Sequence, residues 1–161
     1  MTPSERTGSV RVMLVDVLSP REEVPRLGDR VRSVDLPLDS GVAVPLIHDL
    51  LRCDLFDVTR ADLPDGTVVS VYVDDNGLLK DDPVVGAWNG APADSPRCRV
   101  LAGNLLVTGG VDGKGYDLGL TDAQWDALMR HLVVRESPDG TPLPMLVLGG
   151  PGSRPVPVEG R

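Results

Sequence analysis

Residues 10–18 read VRVMLVDVL, a nearly continuous apolar run ended by Ser19-Pro20. Nine residues rich in valine are too few for a typical helix and suit a buried β-strand. Working outward from this strand, residues 31–38 (VRSVDLPL) alternate more loosely and read as a second strand, with Pro37 at an edge or strand end. After the Asp39-Ser40-Gly41 turn, residues 44–51 (VPLIHDLL) predict a short helix. Pro45 suits its first turn, and Leu46, Ile47, Leu50 and Leu51 form one apolar face. Residues 56–61 (FDVTRA) and 67–73 (TVVSVYV) read as two further strands joined by the turn-forming 62–66. The second ends at Asp74-Asp75-Asn76-Gly77, where Asn-Gly predicts a tight turn with positive φ.

Residues 81–96 read mostly as loop, anchored by Val84, Val85 and Trp88, and residues 99–108 (RVLAGNLLVT) as a strand interrupted at Gly103. Residues 109–119 form a glycine-rich loop. Residues 121–133 are the best-specified element: Thr121 and Gln124 have capping-box spacing, and Trp125, Leu128, Met129 and Leu132 recur at helical intervals. Residues 143–148 (LPMLVL) then add an edge strand. The chain therefore divides into a disordered N-terminus (1–9), one domain (10–148) and a flexible Pro/Gly-rich tail (149–161). The expected fold is α+β, a mainly antiparallel sheet with the short helix (44–51) and the C-terminal helix (121–134) packed on one face.

With 161 residues and 41% hydrophobic content, the chain can bury a core without a metal or disulfide staple. Aromatics make up only 3%, so that core is aliphatic. A net charge of −8 argues against direct nucleic-acid binding, which needs clustered Lys and Arg. Residues 61–136 hold most of the excess, with 12 acids against 6 bases. That segment reads either as a solvated face or as an acidic surface aimed at a basic partner. The N-terminus lacks the apolar run of a signal peptide, and no stretch approaches the roughly 20 apolar residues of a membrane span. Cys53 and Cys98 are expected as free thiols in a reducing cytoplasm.

Catalytic templates find no match. The loop Gly109-Gly110-Val111-Asp112-Gly113-Lys114-Gly115 departs from a phosphate-binding P-loop, with Thr108 in place of its first Gly and Gly115 where a Ser or Thr would hold magnesium. His48 and His131 lack metal-ligand spacing; His131 is expected in the last helical turn, His48 at the surface beside Asp49. Cys53 and His48 are five residues apart, which does not place them on one helix face, and no Gly-x-Ser-x-Gly elbow is present. Neither a metal nor a cofactor is expected. The candidate binding residues are Asp74, Asp75, Asp81 and Asp82 around one turn, Trp88, and Asp112 and Lys114 of the glycine-rich loop.

An ordered series of features resembles the bacterial family recorded as domain of unknown function 3846, over residues 41–133 and the N-terminal strand. The series runs VRVMLVDVL, VPLIHDLL, the strand and leucine pair VYVDDNGLLK, NLLVTGGVDGKGY, and the helix opening LTDAQWDAL. It departs from the family at Asp81-Asp82-Pro83-Val84-Val85, where members have Leu-Pro-x-Asn after the leucine pair. The resemblance implies an accessory or counter-defence protein of a phage, plasmid or conjugative element, and carries no catalytic residues with it.

The functional expectation is a non-enzymatic interaction module that binds another protein, one with a basic surface. Two alternatives are a small-molecule or nucleotide-binding domain using the loop 109–117, and an acidic DNA mimic. A homodimer paired through a sheet edge is a further arrangement open to such a chain.

Overall fold

The first strand, β1 (Ser9–Val15), explains why its sequence is apolar at consecutive positions: it is buried on both faces. Val12 and Leu14 point into one hydrophobic cluster and Met13 and Val15 into another, as the two-residue period of a strand requires. Two more strands obey the same division. In β4 (Val68–Asp74), Val69, Val71 and Val73 face one cluster and Tyr72 the other. In β7 (Leu105–Thr108), Leu105 and Val107 oppose Leu106. With β2 (Val31–Pro37) and β3 (Phe56–Asp62) they form an antiparallel sheet in the order β2-β1-β7-β4-β3. The computed structural model describes residues 8–149. The stretches expected to be disordered, 1–9 and 149–161, lie almost wholly outside the described residues, although Ser9 already belongs to β1.

Helix α1 (Ser40–Leu51) covers the Leu14 face, burying Ala43, Ile47 and Leu51. It starts four residues earlier than the pattern of Pro45 suggests, because Asp39 caps it: the Asp39 carboxylate accepts the Gly41 N–H at 2.9 Å. Pro45 thus stands inside the helix.

The opposite face packs against a second sheet, β10-β11-β5-β6, made of β5 (Val85–Trp88), β6 (Val100–Ala102), β10 (Leu132–Glu136) and β11 (Pro142–Val147). Among the described strands only β11 and β5 run parallel. Helix α2 (Asp122–Arg130) adds Ala127 and Leu128 to the same core. The fold is α+β with mainly antiparallel sheets, as the sequence predicts. The two helices, however, take opposite faces of the five-stranded sheet rather than one. A sheet whose two faces are both apolar must be covered twice.

Several boundaries move for physical reasons. Residues 81–96 contain β5, an inner strand, and residues 99–108 split into β6 and β7, which belong to different sheets. The break is Gly103, at φ +86°, a conformation open to glycine. The capping box of α2 is present, but the helix stops at Arg130 and the Val133-Val134 pair enters β10. β11 is an inner strand, not an edge; its Pro142 and Pro144 lie opposite Glu136 and Val134 of β10, before its pairing with β5 begins at Leu146. Gly77 lacks the positive φ expected of Asn76-Gly77 and opens a 3-10 turn, Gly77–Leu79. Glycine is needed there for space, since a Cβ would stand 2.9 Å from the Ala102 carbonyl oxygen. The glycine-rich loop is partly a hairpin of β8 (Gly110–Val111) and β9 (Asp117–Leu118).

Asp65, in the β3–β4 turn, ties that turn to the end of α2. It accepts the Thr67 N–H (2.9 Å) and Arg130 Nη2 (3.1 Å), with His131 Nε2 at 3.6 Å. Burial raises its carboxyl, but the Thr67 and Arg130 hydrogen bonds and the His131 charge outweigh that and hold it at about 2. A carboxyl whose pKa falls on folding, from roughly 3.9 in the unfolded chain, stabilises the fold above that pH and loses the contribution as pH falls toward the folded value. Asp65→Asn should therefore flatten the loss of stability between about pH 4 and pH 2. Urea midpoints measured across that range check this; parallel acid limbs in both proteins would refute it.

Candidate functional site

The aspartates around residues 74–82 divide into different roles. Asp74, at the end of β4, is 8% exposed, pairs with Lys80 Nζ at 2.7 Å and accepts the Asn76 N–H at 2.9 Å. It shapes the turn and its charge is met. Asp75 is exposed, and its backbone N–H donates to the Leu55 carbonyl (3.0 Å), which brings the start of β3 beside the turn. Asp81 is exposed beyond the turn, and Asp82 stands at a different cleft.

What the turn displays is apolar. Leu78 and Leu79 are 56% and 81% exposed, and neighbouring Leu55 is 58% exposed. Leu78 lines a depression of about 270 Å³ together with Asp57, Asp75 and Arg99. Among the described residues neither Asp57 nor Asp75 has an ion pair, whereas Arg99 donates to Thr59 Oγ1 and the Arg60 carbonyl. Cys53 lies within electrostatic reach of Asp54, Asp74 and Lys80; burial, then the Asp74 charge, pushes its thiol up, so the protonated form dominates at neutral pH. Leucines at 55, 78 and 79 carried no sequence signal as a group. Hydrophobic residues beside a turn read as core anchors until the fold shows them facing outward.

Trp88 is half-buried in β5, and its indole N–H donates to the Ala91 carbonyl at 2.9 Å, closing the loop that follows. Asp112 forms the hairpin turn: its Oδ1 accepts the backbone N–H groups of Lys114 (2.8 Å) and Tyr116 (3.0 Å). Lys114 lines a second recess, which it shares with Tyr72, Asp117 and residues of α1. Tyr72 and Phe56, set apart in sequence on β4 and β3, meet edge-to-face there at 5.5 Å. Phe56 in turn touches His48 at 4.8 Å, so His48 is half-buried rather than a surface residue, its Nδ1 3.0 Å from the Cys53 carbonyl oxygen. His131 is the C-cap of α2 and not part of its last turn.

A further cleft, about 540 Å³, lies between Ser19, Asp82, Arg135 and the 137–141 turn. Several of its polar groups bond to protein partners, while Arg135 Nε is buried without one among the described residues. Arg135 Nη2 donates to the Val85 carbonyl (2.8 Å), and Asp139 accepts from the Ser137 hydroxyl and from Thr141 Oγ1 (2.6 Å) and N (3.0 Å). Among the described residues, no three His, Cys, Asp or Glu side chains gather as a metal site, and no helix is long and apolar enough to cross a membrane. No family model, curated protein or solved structure matches the chain.

Proposed function

We propose that the chain is a protein-binding module whose contact face is the surface around Leu55, Leu78 and Leu79. The partner chemistry is a segment carrying one or two apolar anchors flanked by Lys or Arg. The observation that carries this reading is three exposed leucines beside Asp57 and Asp75. Burying a leucine side chain is worth about 1.5–3 kcal/mol, so leaving three in water is costly unless a partner covers them. The neighbouring carboxylates select a basic partner and steer its approach. The likeness to domain of unknown function 3846 rests on the residue series alone. It suggests an accessory or counter-defence role on a mobile element.

The test uses a synthetic amphipathic peptide of alternating leucine and arginine, titrated into the 15N-labelled chain. Amide shifts should concentrate at Leu55, Asp57, Asp75, Leu78 and Leu79, weaken steeply with salt, and vanish in Leu78→Ser/Leu79→Ser, whose fold is unaltered because both side chains are exposed. Shifts scattered over the surface, or centred elsewhere, would overturn the assignment.

A further inference from the structure

The second recess has a chemistry of its own. Three of the chain's five aromatic residues, Phe56, Tyr72 and Tyr116, line one crevice of about 220 Å³ between α1 and the β8–β9 hairpin. At one side the Tyr72 hydroxyl donates to both carboxylate oxygens of Asp117, at 3.0 Å each. Two carboxylate oxygens offer roughly four acceptor sites, and this single donor leaves most of them open. Asp117 is half-buried and, among the described residues, has no ion pair. Burial holds its carboxyl above the usual range. Burial and then the Asp117 charge push the Tyr72 phenol up, which keeps it a donor at neutral pH. A half-buried carboxylate without a cation, beside aromatic rings whose faces carry negative potential, is an incomplete electrostatic arrangement.

We infer that this crevice is a binding site for an alkylammonium group, primary or methylated, seated on the Asp117 carboxylate among the rings of Phe56, Tyr72 and Tyr116. The walls contributed by Leu38, Val44 and Ile47 suit the alkyl part of such a ligand. An anion is disfavoured here although Lys114 and the start of α1 are close. It would meet Asp117, and the first-turn N–H groups of Gly41, Val42 and Ala43 already bond to Asp39. Lys114 is exposed on the hairpin turn, and its charge opposes a second cation. The site therefore differs from a phosphate-binding use of the 109–117 loop, and it is independent of the protein-binding face.

The test compares choline, n-butylammonium, inorganic phosphate and 3,3-dimethyl-1-butanol, the uncharged isostere of choline, each titrated into the 15N-labelled full chain at constant ionic strength. Choline or n-butylammonium should shift the amides of Val44, Tyr72, Tyr116 and Asp117. The neutral isostere should bind about tenfold more weakly, as should choline to Asp117→Asn. Lys114→Gln should tighten choline severalfold. Equal binding of the isostere would reduce the crevice to an apolar pocket, phosphate shifts at the same amides would make it an anion site, and no shift with either ammonium ion would remove the site altogether. The isostere comparison needs no variant, so a folding defect in Asp117→Asn cannot protect the inference.

Discussion

Asn104→Ala is expected to cost about 3–5 kcal/mol, a large share of the 5–15 kcal/mol by which a domain is stable. Asn104 is 2% exposed and its side chain joins three parts of the chain. Its Oδ1 accepts the Val17 N–H (2.8 Å) and the Leu18 N–H (3.1 Å), and its Nδ2 donates to the Leu50 carbonyl in the last turn of α1 (2.9 Å). Alanine takes the partner from the Val17 N–H and the Leu50 carbonyl where water is excluded, each worth about 1–3 kcal/mol, while the Leu18 N–H keeps the Asp16 carboxylate at 3.2 Å. Equilibrium urea unfolding measures the loss. Asn104→Asp keeps the acceptor but sets a carboxylate oxygen against the Leu50 carbonyl and buries a charge, so it should not recover the stability at neutral pH. A cost below about 1 kcal/mol for Asn104→Ala would mean that water reaches the site, against the burial of Asn104.

Arg30→Ala should be comparably damaging, at about 3 kcal/mol or more, because it strips the Ser19 and Val24 carbonyls of a buried charged donor and leaves a large void. Arg30 is fully buried; its Nη1 donates to the Ser19 carbonyl (2.9 Å) and its Nη2 to the Val24 carbonyl (2.8 Å), folding the 16–30 connection onto β1. Asp16, 3% exposed, faces the same connection and accepts from Ser19 N (3.0 Å), the Ser19 hydroxyl (2.5 Å) and Leu18 N (3.2 Å). Burial raises the Asp16 carboxyl, but these hydrogen bonds and the Arg30 charge together hold it below the usual range. A carboxyl lowered on folding stabilises the protein above its unfolded pKa, roughly 3.9, and ceases to as pH falls below it. Removing Arg30 weakens that contribution, so the stability gap between Arg30→Ala and the parent should be widest near neutral pH and narrow below about pH 4. Urea midpoints at pH 7 and pH 3.5 test it; a gap that widens in acid would show that the Arg30 charge does not support the Asp16 carboxylate.

Legibility followed the range of the interaction that decides each feature. The Thr121–Gln124 capping box was readable because it joins residues three apart, and so was β1 as a buried strand, which shows in its nearly continuous apolar run. The end of α2 was not, since Val133 and Val134 suit a helix pattern until β11 offers them a partner strand. The candidate site residues show the same limit. Asp74 and Asp75 were visible as acidic turn residues, yet only the fold shows that Asp74 is paired with Lys80 while Leu78 and Leu79 face outward. Asp117 appeared in sequence as one more loop acid. Its contact with Tyr72, 45 residues earlier, makes it a candidate for recognition.

By itself the sequence determined the class of the fold, the aliphatic core and where most strands lie, because alternation and capping act between near neighbours along the chain. Tertiary structure decided how residues 99–108 divide between two sheets, that the helices cover opposite faces, and which of the acids, leucines and aromatic rings meet. Those outcomes depend on pairings between strands far apart in the chain, such as β1 with β7, and no local pattern encodes them.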